Sequence, residues 1–125
     1  MNGFEFRTWD KKAKVMEQYH YLQLSPNGQL YHDGMNVTDN YEIMQYTGLN
    51  DAYEKKIFEG DIVYQEFYDR ISEKHGFTGV VKQMEGAWWI CNGVDHAELL
   101  WSEVNLNHVK GNIYENLELL ENWTK

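Results

Sequence analysis

Two short apolar stretches constrain this chain more than any other feature. They are Met44-Gln45-Tyr46-Thr47-Gly48-Leu49 and, after a polar connection, Ile57-Phe58-Glu59-Gly60-Asp61-Ile62-Val63. Glycine takes positive φ without steric cost, so Gly60 between Glu59 and Asp61 suits a sharp reversal between β pieces. The stretches bring no nucleophile, metal cluster or phosphate loop with them. They organise a small β-domain and name no reaction.

The rest of the chain reads the same way. Phe4, Phe6 and Thr8 alternate with Glu5, Arg7 and Trp9, which predicts a short two-faced strand. Val15 to Ser25 is strand-like, and Ser25-Pro26-Asn27-Gly28 is a strong reversal into a second arm from Gln29 to His32. Tyr41 to Thr47 predicts a strand, with Asp39 as a candidate cap for a helical turn there instead. From Asp61 to Asp69, Ile62, Tyr64 and Tyr68 share one face and Val63 and Phe67 the other, as in a strand packed on both sides. Ile71 to Gly76 reads as a charged loop. Phe77 to Met84 and Ala87 to Asn92 form a hairpin about Glu85-Gly86. Leu99 to Val104 is expected to make one helical turn, Val109 to Ile113 a last strand, and Asn116 to cap a terminal helix from Leu117 to Trp123. Many short strands with tight turns favour a strongly bent or closed antiparallel sheet.

Composition limits the partners. A chain of 125 residues has the length of one ordinary domain or two small ones. The formal net charge of −9 opposes binding to nucleic acid or to an acidic membrane surface, which both depend on Lys and Arg. The one basic run, Lys11, Lys12 and Lys14, is too short to line a groove. Cys91 is the single cysteine, so no intrachain disulfide forms; that fits a reducing compartment. No apolar run reaches membrane-spanning length and no signal pattern opens the chain, so a cytoplasmic location is expected.

Residues able to carry chemistry are scattered. Asp95, His96 and Glu98 are the densest potential ligands, but adjacent strand residues point apart, and a solvated loop accounts for them better. His20 and His32 are placed to face one another across the Pro26-Asn27-Gly28 hairpin, among tyrosines. His75 and His108 have no recognisable partner motif. Cys91 lacks the positive surroundings of a reactive thiol and reads as a small buried hydrophobe. No catalytic, cofactor-binding or metal residues are assigned, and no cofactor is expected. The aromatics of the central strands remain: Trp88, Trp89, Tyr64, Phe67 and Tyr68 are the candidates for an interaction surface. On a strand Trp88 and Trp89 must face opposite ways, and Trp88 fits a subunit contact or plain packing.

The pieces Phe6-Arg7-Thr8-Trp9-Asp10-Lys11-Lys12, Met44 to Leu49, Ile57 to Val63, and Gly111-Asn112-Ile113-Tyr114-Glu115-Asn116 occur in that order across almost the whole chain. In this the chain resembles the YopX-like proteins of bacteriophages and prophages. The resemblance implies an N-terminal β-rich portion, placed at residues 1–53, and a C-terminal SH3-like barrel with a short terminal helix, placed at 54–125. It also implies homo-oligomers, hexamers among the candidate assemblies, and supplies no catalytic residues. Ala52-Tyr53-Glu54 stands where the family usually has an Asn-Gly turn, and Leu117 where it often has Pro.

The expected fold is therefore mainly β (α+β). The expected function is a non-enzymatic phage accessory protein that binds copies of itself, with a host or phage protein as a further partner. Two other classes compete. A small enzyme acting on a phosphorylated or nucleotide substrate would bring His20, His32 or His96 to a carboxylate in a pocket. An acidic DNA mimic would line Asp and Glu along one face.

Overall fold

The computed structural model describes residues 5–18, 22–68, 75–93 and 95–120. The protein is mainly β, and its strands fall into two compact units, Met1–Gln45 and Tyr46–Lys125. The division lies inside a strand, where its pairing passes from one partner to another.

In the first unit β1 (Phe6–Asp10) pairs antiparallel with β2 (Val15–Glu17) and with the opening half of β6 (Tyr41–Asn50). Asp10 makes the β1–β2 turn: its Oδ1 accepts from the backbone N–H groups of Lys12 and Ala13 at 3.0 and 2.9 Å. Thr8 is buried, and its hydroxyl donates to the Glu17 carbonyl. β3 (Gln23–Leu24), β4 (Leu30–His32) and β5 (Met35–Asn36) form a small antiparallel sheet, with the expected reversal at Pro26-Asn27-Gly28. A 3-10 turn at Thr38–Asn40 precedes β6; Asp39 lies within it, and Val37 holds the cap position without a side-chain bond.

The second unit carries the larger sheet. The end of β6 pairs with β7 (Lys56–Phe58). Then β8 (Asp61–Glu66), β9 (Gly76–Met84), β10 (Ala87–Cys91), β11 (Ala97–Leu99) and β12 (Leu106–Asn112) form an antiparallel sheet in the order β11-β10-β9-β8-β12. The β9–β10 hairpin turns on Glu85 and Gly86, both at positive φ (51° and 80°), the type I′ geometry that matches strand twist. At Gly79 the strands run so close that an added Cβ would lie 2.5 Å from Ile90 Cγ2.

One face of this sheet is the core. Ile57, Val63, Val81, Ile90 and Leu100 are fully buried together, with Leu49, Phe77, Trp88 and Val109 packed around them. Each fully buried aliphatic contributes about 1.5–3 kcal/mol. On the opposite face Ile62, Val80 and Cys91 are buried, and the register places Tyr64, Glu66, Leu106 and His108 on that side at one end. The sheet curls into a half-barrel. Its seam is joined by side chains instead of a backbone ladder: Gln65 Nε2 donates to the Leu99 carbonyl (3.0 Å) and to Asn107 Oδ1 (2.9 Å), and Asn107 Nδ2 donates to the Leu100 carbonyl (2.7 Å).

Two expected elements differ. Leu99 to Val104 makes no helical turn. Leu100 continues the ladder by donating its N–H to the Trp88 carbonyl, and the Ser102 hydroxyl then accepts from the N–H groups of Val104 and Asn105, closing a tighter turn. At the C-terminal end Asn116 does not cap a helix through its side chain. Its Oδ1 accepts from the Asn112 N–H behind it, and a single 3-10 turn, Leu117–Leu120, follows. Residues 121–125, with Trp123, lie outside the described residues, as do Tyr19, His20 and Tyr21 and residues 69–74, with the start of the expected charged loop.

Candidate functional site

The five aromatics singled out from the sequence do not share one surface. Trp88 is half-buried against the core, so it serves packing. Trp89 lies on the other face, with its indole N–H donated to the Met84 carbonyl at 3.1 Å. Phe67 is half-buried, and its N–H donates to the His75 carbonyl, carrying pairing one step past β8. Tyr64 and Tyr68 fall beside residues that the sequence left without a role.

Those residues are His108, Glu66 and Tyr53. His108 on β12 sits opposite Tyr64 on β8, and their rings stack at 6.3 Å. His108 Nε2 lies 3.1 Å from Glu66 Oε1. The Tyr53 ring also meets the imidazole, tilted by 49° with 5.7 Å between centroids. Tyr68 is about half exposed; partial desolvation, then the nearby Glu66 carboxylate through its charge and hydrogen bonding, then Tyr53 push the phenol above its ordinary value. Gly76 leaves room for the Tyr64 ring, whose hydroxyl would collide with a Cβ there. The available signal was strand parity: Tyr64, Glu66 and Tyr68 alternate onto one face. The pairing of β8 with β12 was not readable from spacing.

Tyr53 is held in place by Asp51. This buried carboxylate accepts from the N–H groups of Tyr53 (2.8 Å), Lys55 (2.9 Å) and, across to β12, Val109 (3.0 Å). Burial pushes the Asp51 carboxyl up, but these three donors and the Lys55 charge outweigh it and hold it below its ordinary value. The loop also donates the Ala52 N–H to the Asn107 carbonyl, so it covers the outer edge of β12.

A second feature is the Leu100–Asn105 connection. Leu99, Trp101, Val104 and Leu106 are exposed along it, Trp101 at 59% and Val104 at 64%. It is nonetheless anchored, by the buried Leu100, the Ser102 turn and the amides of Gln65, Asn105 and Asn107. A cleft of about 290 Å³ runs beside it, lined by Leu49, Asn50, Ala52, Trp101, Leu106 and Asn107 among others.

The other polar candidates make local contacts. His96 Nε2 lies 2.5 Å from Glu98 Oε2, and its ring meets Phe77 edge-on at 4.8 Å. Asp95 interacts with Asn92 instead of joining them. His96, Asp95, Cys91 and Lys82 border a cleft of about 240 Å³, below the usual 300–1,000 Å³ of small-molecule sites. Cys91 is buried. His32 pairs with the exposed Asp33 at 3.6 Å, and His20 lies outside the described residues. A wider hollow of about 670 Å³ in the first unit is lined by the Asp10–Ala13 turn and Asp39–Tyr41, which offer no histidine, cysteine or serine. Among the described residues no three metal-ligating side chains converge, and no helix is long and apolar enough to cross a membrane.

The chain belongs to the YopX protein family, whose model matches residues 5–121. It is similar in structure to protein EF1440 from Enterococcus faecalis, with 26% identity, a TM-score of 0.60, and 97% of this chain and 100% of that one covered. It is also similar to protein yopX from Bacillus subtilis, with 23% identity, a TM-score of 0.64 and the same coverage. No curated protein matches it.

Proposed function

We propose that this protein is a non-enzymatic accessory protein of a phage or prophage, working in the bacterial cytoplasm through protein–protein contacts as a homo-oligomer. In this reading the curled sheet of the second unit is an SH3-like barrel, and a short helix ends the chain. One observation carries the reading: Trp101 and Val104 are exposed on the Leu100–Asn105 connection, with Leu99 and Leu106 exposed on the strands at its two ends, and the connection is anchored by the buried Gln65 amide and by Asn107. An apolar surface held in one shape loses little conformational entropy on binding, and Trp is enriched among binding hot spots.

The test is sedimentation at micromolar concentration, comparing the natural chain with Trp101→Ala. An assembly that shifts toward the monomer in the variant, with folding unchanged, supports the reading. A natural chain that sediments as a monomer removes it. Trp101 is the informative position because Trp88 packs against the core, and its truncation would disturb folding.

A further inference from the structure

We infer that Tyr53, Tyr68 and Glu66, set around the Tyr64–His108 stack, form a receptor for a cationic side chain, an arginine or lysine presented by a protein partner. The Glu66 side chain is 41% exposed, with the His108 imidazole 3.1 Å from its Oε1 and the Tyr68 phenol nearby. Among the described residues no lysine or arginine pairs with it. Tyr53 is 78% exposed and Tyr68 54%, so both present ring faces to solvent beside the carboxylate. Ring faces attract cations through their quadrupole, and a carboxylate adds a charge-assisted hydrogen bond.

The surroundings favour that ligand over others. The chain carries a net charge of −9, which attracts basic partners and repels acidic ones. Much of the site is built on hydrogen-bonded backbone. Asp51 fixes the backbone beneath Tyr53, Glu66 and His108 lie on paired strands, and Gly76 opens space for Tyr64. A preformed site spends little affinity on ordering itself. The receptor needs no self-association, so a monomer would carry it too.

The experiment titrates the full chain with N-acetyl-arginine amide and follows the tyrosine and histidine ring signals by NMR. N-acetyl-citrulline amide, the neutral isostere, is the control. The expected result is saturable shifts of the Tyr53, Tyr68 and His108 rings with a dissociation constant in the millimolar range, roughly tenfold weaker for citrulline. Glu66→Gln and Tyr53→Ala should each weaken binding by about threefold to tenfold with the amide spectrum preserved, and Trp101→Ala should leave it unchanged. Equal response to both probes, no saturable ring shift, or full binding by a folded Glu66→Gln chain would overturn the proposal.

Discussion

Two buried polar side chains, Asp51 and Gln65, fasten the second unit where backbone pairing stops. Asp51 accepts three backbone N–H groups with one carboxylate. Replacing it with Asn swaps one acceptor oxygen for a donor facing those groups, which should cost about 1–3 kcal/mol at neutral pH. The pH dependence has a definite sign. Because the folded carboxyl titrates below its unfolded value, its stabilisation is complete above the unfolded value and disappears as pH falls through the folded one. Urea midpoints of the natural chain and Asp51→Asn should therefore differ at pH 7 and converge in strong acid; a constant gap would contradict this. Gln65 is buried in the seam, and Gln65→Leu would strip the Leu99 carbonyl and Asn107 Oδ1 of a shared donor. A cost of about 1–3 kcal/mol is expected. Faster hydrogen exchange at Asn105 and Leu100 should accompany it, with the β8–β9 amides still protected.

At the scale of elements, the two glycines of the β9–β10 hairpin separate crowding from backbone conformation. Gly79→Ala would put a methyl 2.5 Å from Ile90 and 2.8 Å from the Cys91 backbone, so it should destabilise by about 1–3 kcal/mol through displaced strands. At Gly86 space is open but φ is +80°, so an alanine costs only the left-handed penalty, about 1–2 kcal/mol. Denaturant midpoints decide, and the repacking should show as shifts at Ile90 in the Gly79 variant alone. This hairpin was legible in the sequence because Glu85-Gly86 and the flanking alternation are local signals. So were the Pro26-Asn27-Gly28 reversal and the strand from Asp61. The Leu99 to Val104 segment misled because its composition suits a helical turn, while its conformation is set by Leu100 entering a core built from distant strands. The site was legible only by halves. Tyr64 and Tyr68 stood out as aromatics, but His108 and Tyr53 reach them through pairing and capping between segments far apart in sequence.

For the whole molecule the net charge of −9 gives opposite signs to the two binding modes. Copies of the chain repel one another, so screening by salt should strengthen self-association. A cationic ligand at Glu66 is attracted, so the same salt should weaken its binding. Sedimentation and ring-signal titrations at low and physiological ionic strength check both. Association that weakens with salt would indicate contacts governed by charge instead of the apolar Leu100–Asn105 connection.

The seam amides and the Asp51 carboxylate also differ in what acid does to them. A primary amide takes up no proton under conditions that neutralise a carboxylate, so Gln65 and Asn107 keep their grip when Asp51 lets go. Souring the solution should thus undo this half of the protein in a fixed order. The Tyr53 flap lifts off first, laying bare the rim of β12, while the side-chain latch across the half-barrel's seam still holds.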